Sequence, residues 1–426
     1  LKSVNEIAFV DEQFHVDFIA EKSSSKVKAF KFFHMIARLC NGAKLDEGTR
    51  GLPFADQIIK GDPTDTALLR FAEPFSHPEI GIDTPHLLAS WHKVFEIPFN
   101  SKNKWMLTVV RERKIVQREI DTADPECWML VKGAPDVLFP SCSDIMKPDG
   151  TVIRLDEATL ARVSTLQAEW SNSGLRVLAL CRRSLASVKM NPDTMSAAVM
   201  EEMVHSEFQD LTLVGLVGIR DPPRADVPDA IKVIRRAGVR VFMVTGDFRL
   251  TAVAIAKQVS YHAYFWGALI DASYQVGIIS QEKIDTIVEM RTSEYARSFV
   301  NRPRPDVRPL DDDENGLRAL VITGNDITTF GSEEWDMVAG YHEIVFARTT
   351  PAQKLQIVEE LKARGDNTVA VTGDGVNDAP AMKGSDIGIA MGSGSDVAKE
   401  AGECIQQQRT IVSLKGFPSS FYHLIE

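Results

Sequence analysis

Residues 368–384 read TVAVTGDGVNDAPAMKG, a short apolar run that ends in a glycine turn carrying two aspartates, Asp374 and Asp378. An apolar run such as Val369, Ala370 and Val371, bounded by Gly and Asp, predicts a strand buried on both faces with its turn at the carboxyl end. In open parallel α/β sheets that end is where ligands bind. Gly373 and Gly375 let backbone turn and approach a ligand closely, and Asp oxygens are hard ligands suited to Mg²⁺. In isolation the same letters also describe an ordinary Asp-Gly turn.

Two more segments repeat the pattern. LTLVGLVGIRDPP (211–223) runs into Asp221, and VRVFMVTGD (239–247) runs into Thr245, Gly246 and Asp247. Between them DVPDAIKVIRRAG (226–238) has apolar residues at helical spacing and stops at Gly238. TTPAQKLQIVEELKARG (349–365) does the same before the 368–384 strand, with Pro351 near its first turn and Gly365 past its end. The expectation is a parallel βαβ sheet whose three strand ends meet at one crevice. Lys354, near the start of the second helix, and Thr245 then stand within reach of a group held at those ends.

These motifs, TGDGVNDAPAMK, MVTGD, IRDPPR and KGAPD in this order, resemble the cytoplasmic part of P-type cation-transporting ATPases. EIPFNSKNKW and EIVFARTTPAQKLQIVE are most similar to the α-subunit group of Na⁺/K⁺- and H⁺/K⁺-exchanging ATPases. The fold this implies is a haloacid-dehalogenase-like parallel α/β phosphorylation domain plus an α+β nucleotide-binding domain built on an antiparallel sheet. Residues 1–210 are expected to form the nucleotide-binding domain, 211–402 the phosphorylation domain, and 403–426 a divergent tail. The resemblance makes Thr245, Lys354 and Asp374 catalytic, places Mg²⁺ on Asp374 and Asp378, and places ATP near Asp65, Phe99, Lys104, Lys132, Gly133 and Arg176. Thr245, Gly246, Asp247, Lys354 and Asn377 complete the phosphate end. Asp221 and Arg224 are expected to help the two domains close on the nucleotide.

The first half carries strand-like runs (EIAFVDEQFHV, KVFEIPFN, KWMLTVVRER, CWMLVKGAP and RVLALCRRSL) among helical patterns, which suits an antiparallel sheet covered by helices. No GxxxxGK[ST] loop occurs, so its motifs read as an adenine pocket, with the Phe99 ring for stacking and Gly133 where backbone approaches the base.

Composition narrows the alternatives. A formal charge of −11 argues against a general nucleic-acid surface. Five scattered cysteines without CxxC spacing suit a reducing compartment and no disulfide framework. The longest apolar stretch, 264–279, is interrupted by Asp271 and Gln275 and makes a poor membrane span. By resemblance the site lies on the cytoplasmic face of a membrane, and the transported cation and any accessory subunit belong to parts of an intact relative beyond this sequence.

The chain also departs from the family. Its phosphorylated aspartate sits in a DKTGT motif, which this sequence does not contain; the resemblance places that motif just before LKSVNEIAFVDEQF. The isolated chain is therefore expected to be inactive, and its parallel sheet to lack a central strand and to be the less stable half. VSYHAYFWGALIDASYQ (259–275) interrupts the family pattern; its terminal codons suit retained intron sequence, and a genuine loop insertion is the alternative. Two other functional classes share some of these residues. A soluble phosphatase of the same superfamily would use Thr245, Lys354, Asp374 and Asp378, and a non-catalytic nucleotide-binding protein needs no nucleophile.

Overall fold

The structure is a computed structural model. It describes residues 6–8, 27–73, 82–113, 126–186, 195–220, 223, 227–259, 284–300, 319–364, 367–392, 394–406 and 421–425. The insertion beyond Val259, and Asp221 and Arg224, lie outside the described residues. The chain divides into two compact units, Leu1–Trp170 with Leu175–Asp221, and Ser171–Gly174 with Pro222–Glu426. The expected boundary at 210/211 falls inside the first.

The first unit is built on one sheet. Its strands run in the order Trp91–Ile97, Trp105–Glu112, Cys127–Gly133, Leu175–Ser184, Leu211–Arg220, Cys142–Met146 and Val152–Arg154, and Glu6–Ala8 also pairs with Leu211–Arg220. All neighbours are antiparallel except Leu211–Arg220 with Cys142–Met146. Alternation along the strands sends Met106, Val110, Leu130 and Leu180 to one face, packed with helix Val27–Leu39 and with Leu68 and Ala72 of helix Pro63–Ala72. Leu107, Val109, Met129, Val131, Ala179 and Cys181 form the core on the other face.

Strand Leu211–Arg220 corrects the sequence reading. It was expected to be the first parallel strand of the second domain, but eight of its residues pair antiparallel with Leu175–Ser184. An apolar run before Asp-Pro-Pro carries no mark of its partner, because periodicity reports burial and not pairing.

His34 lies buried between the two helices of this face, with Nε2 2.9 Å from the Ala72 carbonyl oxygen and 3.2 Å from Thr84 Oγ1. Burial pushes the imidazole below its ordinary value of 6.5, partly opposed by the Ala72 carbonyl. The depressed group is a base, so the unfolded chain takes up the proton first. The stability it contributes is complete above 6.5 and is lost as pH falls through that value towards the folded pKa. Urea midpoints of the first unit should therefore drop from about pH 8 to about pH 5, and His34→Gln should flatten that drop by up to about 1.4 kcal/mol per pH unit. Equal slopes in the two proteins would show that His34 takes no part.

The second unit is a sheet in which every described pair is parallel: Ile284–Asp285, Ala319–Thr323, Glu343–Ala347, Arg240–Val244, Phe421–Ile425, Thr368–Gly373, Ile387–Met391 and Cys404–Gln406, in that order. The Arg240 strand and the Glu343 strand are buried at every position, as strands covered on both faces must be. Phe242, Val244, Phe346, Ile357 and Val371 share one core, and Ala230, Ile231, Val241, Met243 and Ala370 the other. The crossover helices form where the sequence placed them. Val227–Arg236 is followed by Gly238 at φ 79°, and Pro351–Lys362 starts at Thr350, whose hydroxyl accepts from Gln353 N while Gln353 Oε1 accepts from Thr350 N. The central position, expected to be vacant, is filled by Phe421–Ile425 from the tail.

Candidate active site

Parallel strands bring their carboxyl ends to one edge of the second sheet, so the turns after Arg240–Val244 and after Thr368–Gly373 open on the same side, one strand apart. Thr245 is buried in the first of these turns. Its N–H donates to the Phe346 carbonyl at 2.8 Å, and its hydroxyl accepts from Asp247 N at 3.1 Å. Its carbonyl accepts from both the N–H (3.1 Å) and the hydroxyl (3.0 Å) of Thr349. The hydroxyl, serving Asp247 as acceptor, keeps its own proton for donation.

Thr349 immediately precedes the helix cap, so it ties the Thr245 turn to the helix that carries Lys354. That lysine, one turn in, is buried and places Nζ 2.8 Å from Asp378 Oδ1, with only 5% and 3% of the two side chains exposed. Asp378 Oδ2 accepts from Gly375 N at 3.0 Å. A Cβ on Gly373 would collide with the Asp378 side chain, which is why glycine stands there. Asp374 and Asn377 are exposed in the same turn, and Ser395 N donates to the Asp374 carbonyl at 2.8 Å.

Lys354, Asp378 and Asp374 are thus held at the end of the Thr368 strand, and Thr245 is linked to them through Thr349 and the helix start. Among the described residues no group of three or more His, Cys, Asp or Glu gathers into a metal-binding cluster. The donor set still fits Mg²⁺, which keeps several waters and takes one or two carboxylates plus phosphate oxygens. Asp374 is the carboxylate that faces solvent, while both Asp378 oxygens are occupied by Lys354 and Gly375.

In the first unit, helix Pro63–Ala72 begins at an Asp62 cap and carries Asp65 in its first turn. Asp65 forms a buried ion pair with Lys132, whose Nζ bonds Oδ1, and its Oδ2 accepts from Gly42 N at 2.7 Å. Asn41 Nδ2 donates to the Asp65 carbonyl at 3.0 Å. Arg176 lies on the same face, its Nη1 3.4 Å from Thr64 Oγ1. Cys40 is buried beside this pair, and burial pushes its thiol up to about 11, opposed by Lys132, so it stays protonated at neutral pH.

Phe99, two residues past strand Trp91–Ile97, is 55% exposed. The loop that follows ends at Lys104, in the left-handed region at φ 60°, whose carbonyl accepts from Ala134 N at 3.0 Å. A Cβ on Gly133 would lie 2.7 Å from Lys104 O and 2.7 Å from Trp105 Cβ, so only glycine lets the strands close here. An exposed ring beside a lysine-bearing loop, with a buried Asp–Lys pair and an arginine on one sheet face, suits the base end of a nucleotide. Thr349, Gly42 and Asn41 are braces that the sequence reading missed. The Thr349-Thr350-Pro351 start of the crossover helix was the available signal for the first.

Known proteins resemble the chain along most of its length. Residues 29–226 match the family model for P-type ATPase, cytoplasmic domain N. Residues 196–285 and 325–410 match haloacid dehalogenase-like hydrolase models. The potassium-transporting ATPase alpha chain 2 of Oryctolagus cuniculus is 38% identical over 372 residues, 87% of this chain and 30% of that protein. The chain belongs to the P-type ATPases. The sodium/potassium-transporting ATPase subunit alpha of Drosophila melanogaster is 36% identical over 384 residues (88% of this chain, 32% of that protein). Subunit alpha-A of Artemia franciscana is 38% identical over 385 residues (89% and 33%). This P-type ATPase chain spans about a third of the length of the curated relatives it matches. No helix among its described residues is long and apolar enough to cross a membrane.

Proposed function

We propose that the chain is the ATP- and Mg²⁺-binding cytoplasmic part of a pump that uses ATP hydrolysis, through an aspartyl phosphate, to move monovalent cations of the Na⁺/K⁺ type across a membrane. In this reading the first unit grips the nucleotide, the second handles its terminal phosphate, and the site works at the cytoplasmic face. The observation that carries it is the buried Lys354–Asp378 pair beside exposed Asp374 at the ends of parallel strands. The names of the relatives, potassium-transporting and sodium/potassium-transporting, favour the ion class.

Each residue has a role that its position supports. Lys354 sets a positive charge where phosphoryl charge develops, and Thr245 donates its hydroxyl proton to a phosphoryl oxygen. Asp374 would hold Mg²⁺, which would supply positive charge to offset that of the phosphate oxygens. Asp378 orients Lys354 and braces the turn, and Gly246, Asp247 and Asn377 line the phosphate end. Phe99 stacks on the base, while Lys104, Lys132, Gly133 and Arg176 shape the pocket around it, with Asp65 fixing Lys132. Asp221 and Arg224, which lie outside the described residues, are assigned by resemblance alone the role of helping the two domains close on the nucleotide. Transport and any accessory subunit reside in segments that an intact relative supplies.

The test is radiolabelled ATP on the 426-residue chain and on the same chain preceded by a strand ending in DKTGT. Both should bind ATP, and only the extended protein should retain acid-stable label. Asp374→Asn should abolish that label without abolishing ATP binding. Label on the chain alone, or no nucleotide affinity in either protein, would overturn the proposal.

A further inference from the structure

The start of helix Pro351–Lys362 is tied to three strand ends at once. Thr349 holds the Thr245 turn through two bonds to its carbonyl, and Lys354 reaches the Asp378 turn. Gln353, the residue before that lysine, reaches elsewhere. Its Nε2 donates to the carbonyl of Gly324 at 2.6 Å, and Gly324 is the buried residue that follows strand Ala319–Thr323. That strand lies on the opposite side of Arg240–Val244 from Thr368–Gly373, so two consecutive helical residues grip the edge of the sheet at well-separated places. Successive side chains of a helix point about 100° apart, which lets neighbours diverge in this way.

The grip is closely fitted. A Cβ on Gly324 would collide with the Arg348 carbonyl oxygen and lie 2.7 Å from Gln353 Oε1, so glycine alone admits both. Arg348 adopts the left-handed region at φ 57°, and its N–H donates to the Asp247 carbonyl at 2.9 Å. Gln353 Oε1 also accepts from Thr350 N at 3.0 Å. The two ends of one amide therefore have separate duties: the oxygen caps the helix, and the nitrogen ties it to Gly324. A roll of the helix that carried the Lys354 ammonium off Asp378 would have to break the Gln353–Gly324 bond as well.

We propose that Gln353 is a positioning residue for the phosphoryl end of the site: its amide nitrogen, bonded to Gly324, holds the helix start in the rotation that keeps the Lys354 ammonium in place. What that ammonium does rests on the functional reading above; how it is held depends only on these contacts.

Two substitutions separate the tie from the cap. Gln353→Glu keeps an acceptor for Thr350 N and loses the donor for Gly324, whereas Gln353→Met is uncharged, of similar length, and supplies neither. Limited acylation of the full chain, read by mass spectrometry, reports on the Lys354 amine without any nucleotide. In both variants Lys354 should be labelled at least about tenfold faster than in the parent. Lys362, paired with Asp386 at 2.9 Å in the last turn of the same helix, should keep its rate. Calorimetric titration should show Mg·ATP affinity falling about tenfold in both variants, the size of one lost bond to a charged group, with AMP affinity unchanged. Parental labelling of Lys354 in Gln353→Glu overturns the proposal. So does equal acceleration at Lys362, which would mean that the whole helix has loosened, and so does a loss of ATP affinity confined to Gln353→Glu, which would trace to added charge. A parent chain that binds neither nucleotide sinks the functional reading, and the labelling result still decides how Lys354 is held.

Discussion

Lys354→Met is expected to lower the stability of the second unit by about 3–5 kcal/mol, because it removes the cation that neutralises the Asp378 carboxylate in a buried site. For a unit of this size the unfolding midpoint should fall by about 10 °C. Desolvation, and not lost attraction, is the larger part of this cost. Removing the acid as well should therefore restore much of the loss: the double variant Lys354→Met/Asp378→Leu should unfold well above the single one. If the single variant melts like the parent, the pair contributes nothing and the turn is held by Gly375 and the strand alone. The same substitution should remove phosphoryl transfer from the extended protein, and it should do so in the double variant too, which separates stability from chemistry.

Asp65→Ala should damage the first unit to a similar extent. It leaves Lys132 Nζ buried beside Cys40 and Met106 with no acid, and it deprives Gly42 N of its acceptor. A loss of about 3–5 kcal/mol is expected for the uncompensated cation. Asp65→Glu, which can reach the same lysine, should lose less than Asp65→Ala. ATP affinity should fall with Asp65→Ala, since Lys132 then loses the carboxylate that holds it. Unchanged urea midpoints for Asp65→Ala would mean that the lysine has found water, and the buried pair would lose its structural role.

Much of the second unit was legible because parallel strands buried on both faces are written as uninterrupted apolar runs that end in Gly and Asp. Thr368–Gly373 and Arg240–Val244 carry that signature, and their crossover helices announce themselves by Pro351, Thr350 and Gly238. The central strands of the first unit were legible for the same reason, as apolar runs between charged loops, since Trp105–Val110 and Met129–Gly133 are buried at every position. What local pattern does not encode is which strand lies beside which. Leu211–Arg220 looks like its parallel cousins yet pairs with Leu175–Ser184, and FYHLI, with no family pattern around it, gave no sign that it sits between the Arg240 and Thr368 strands. The site was legible residue by residue and not contact by contact. Lys132 and Asp65 both suggested a nucleotide pocket, but nothing in their sequence spacing said that they neutralise each other.

The position of Leu211–Arg220 fixes an order of events for the nascent polypeptide. Three other strands lean on it, including Glu6–Ala8 at the opposite end of the unit's sequence. A ribosome must therefore emit Arg220 before the first sheet can close, and contacts this distant along the chain slow folding. Until then Leu175–Ser184 presents a bare apolar edge, the moment at which a chaperone or a neighbouring copy would find it.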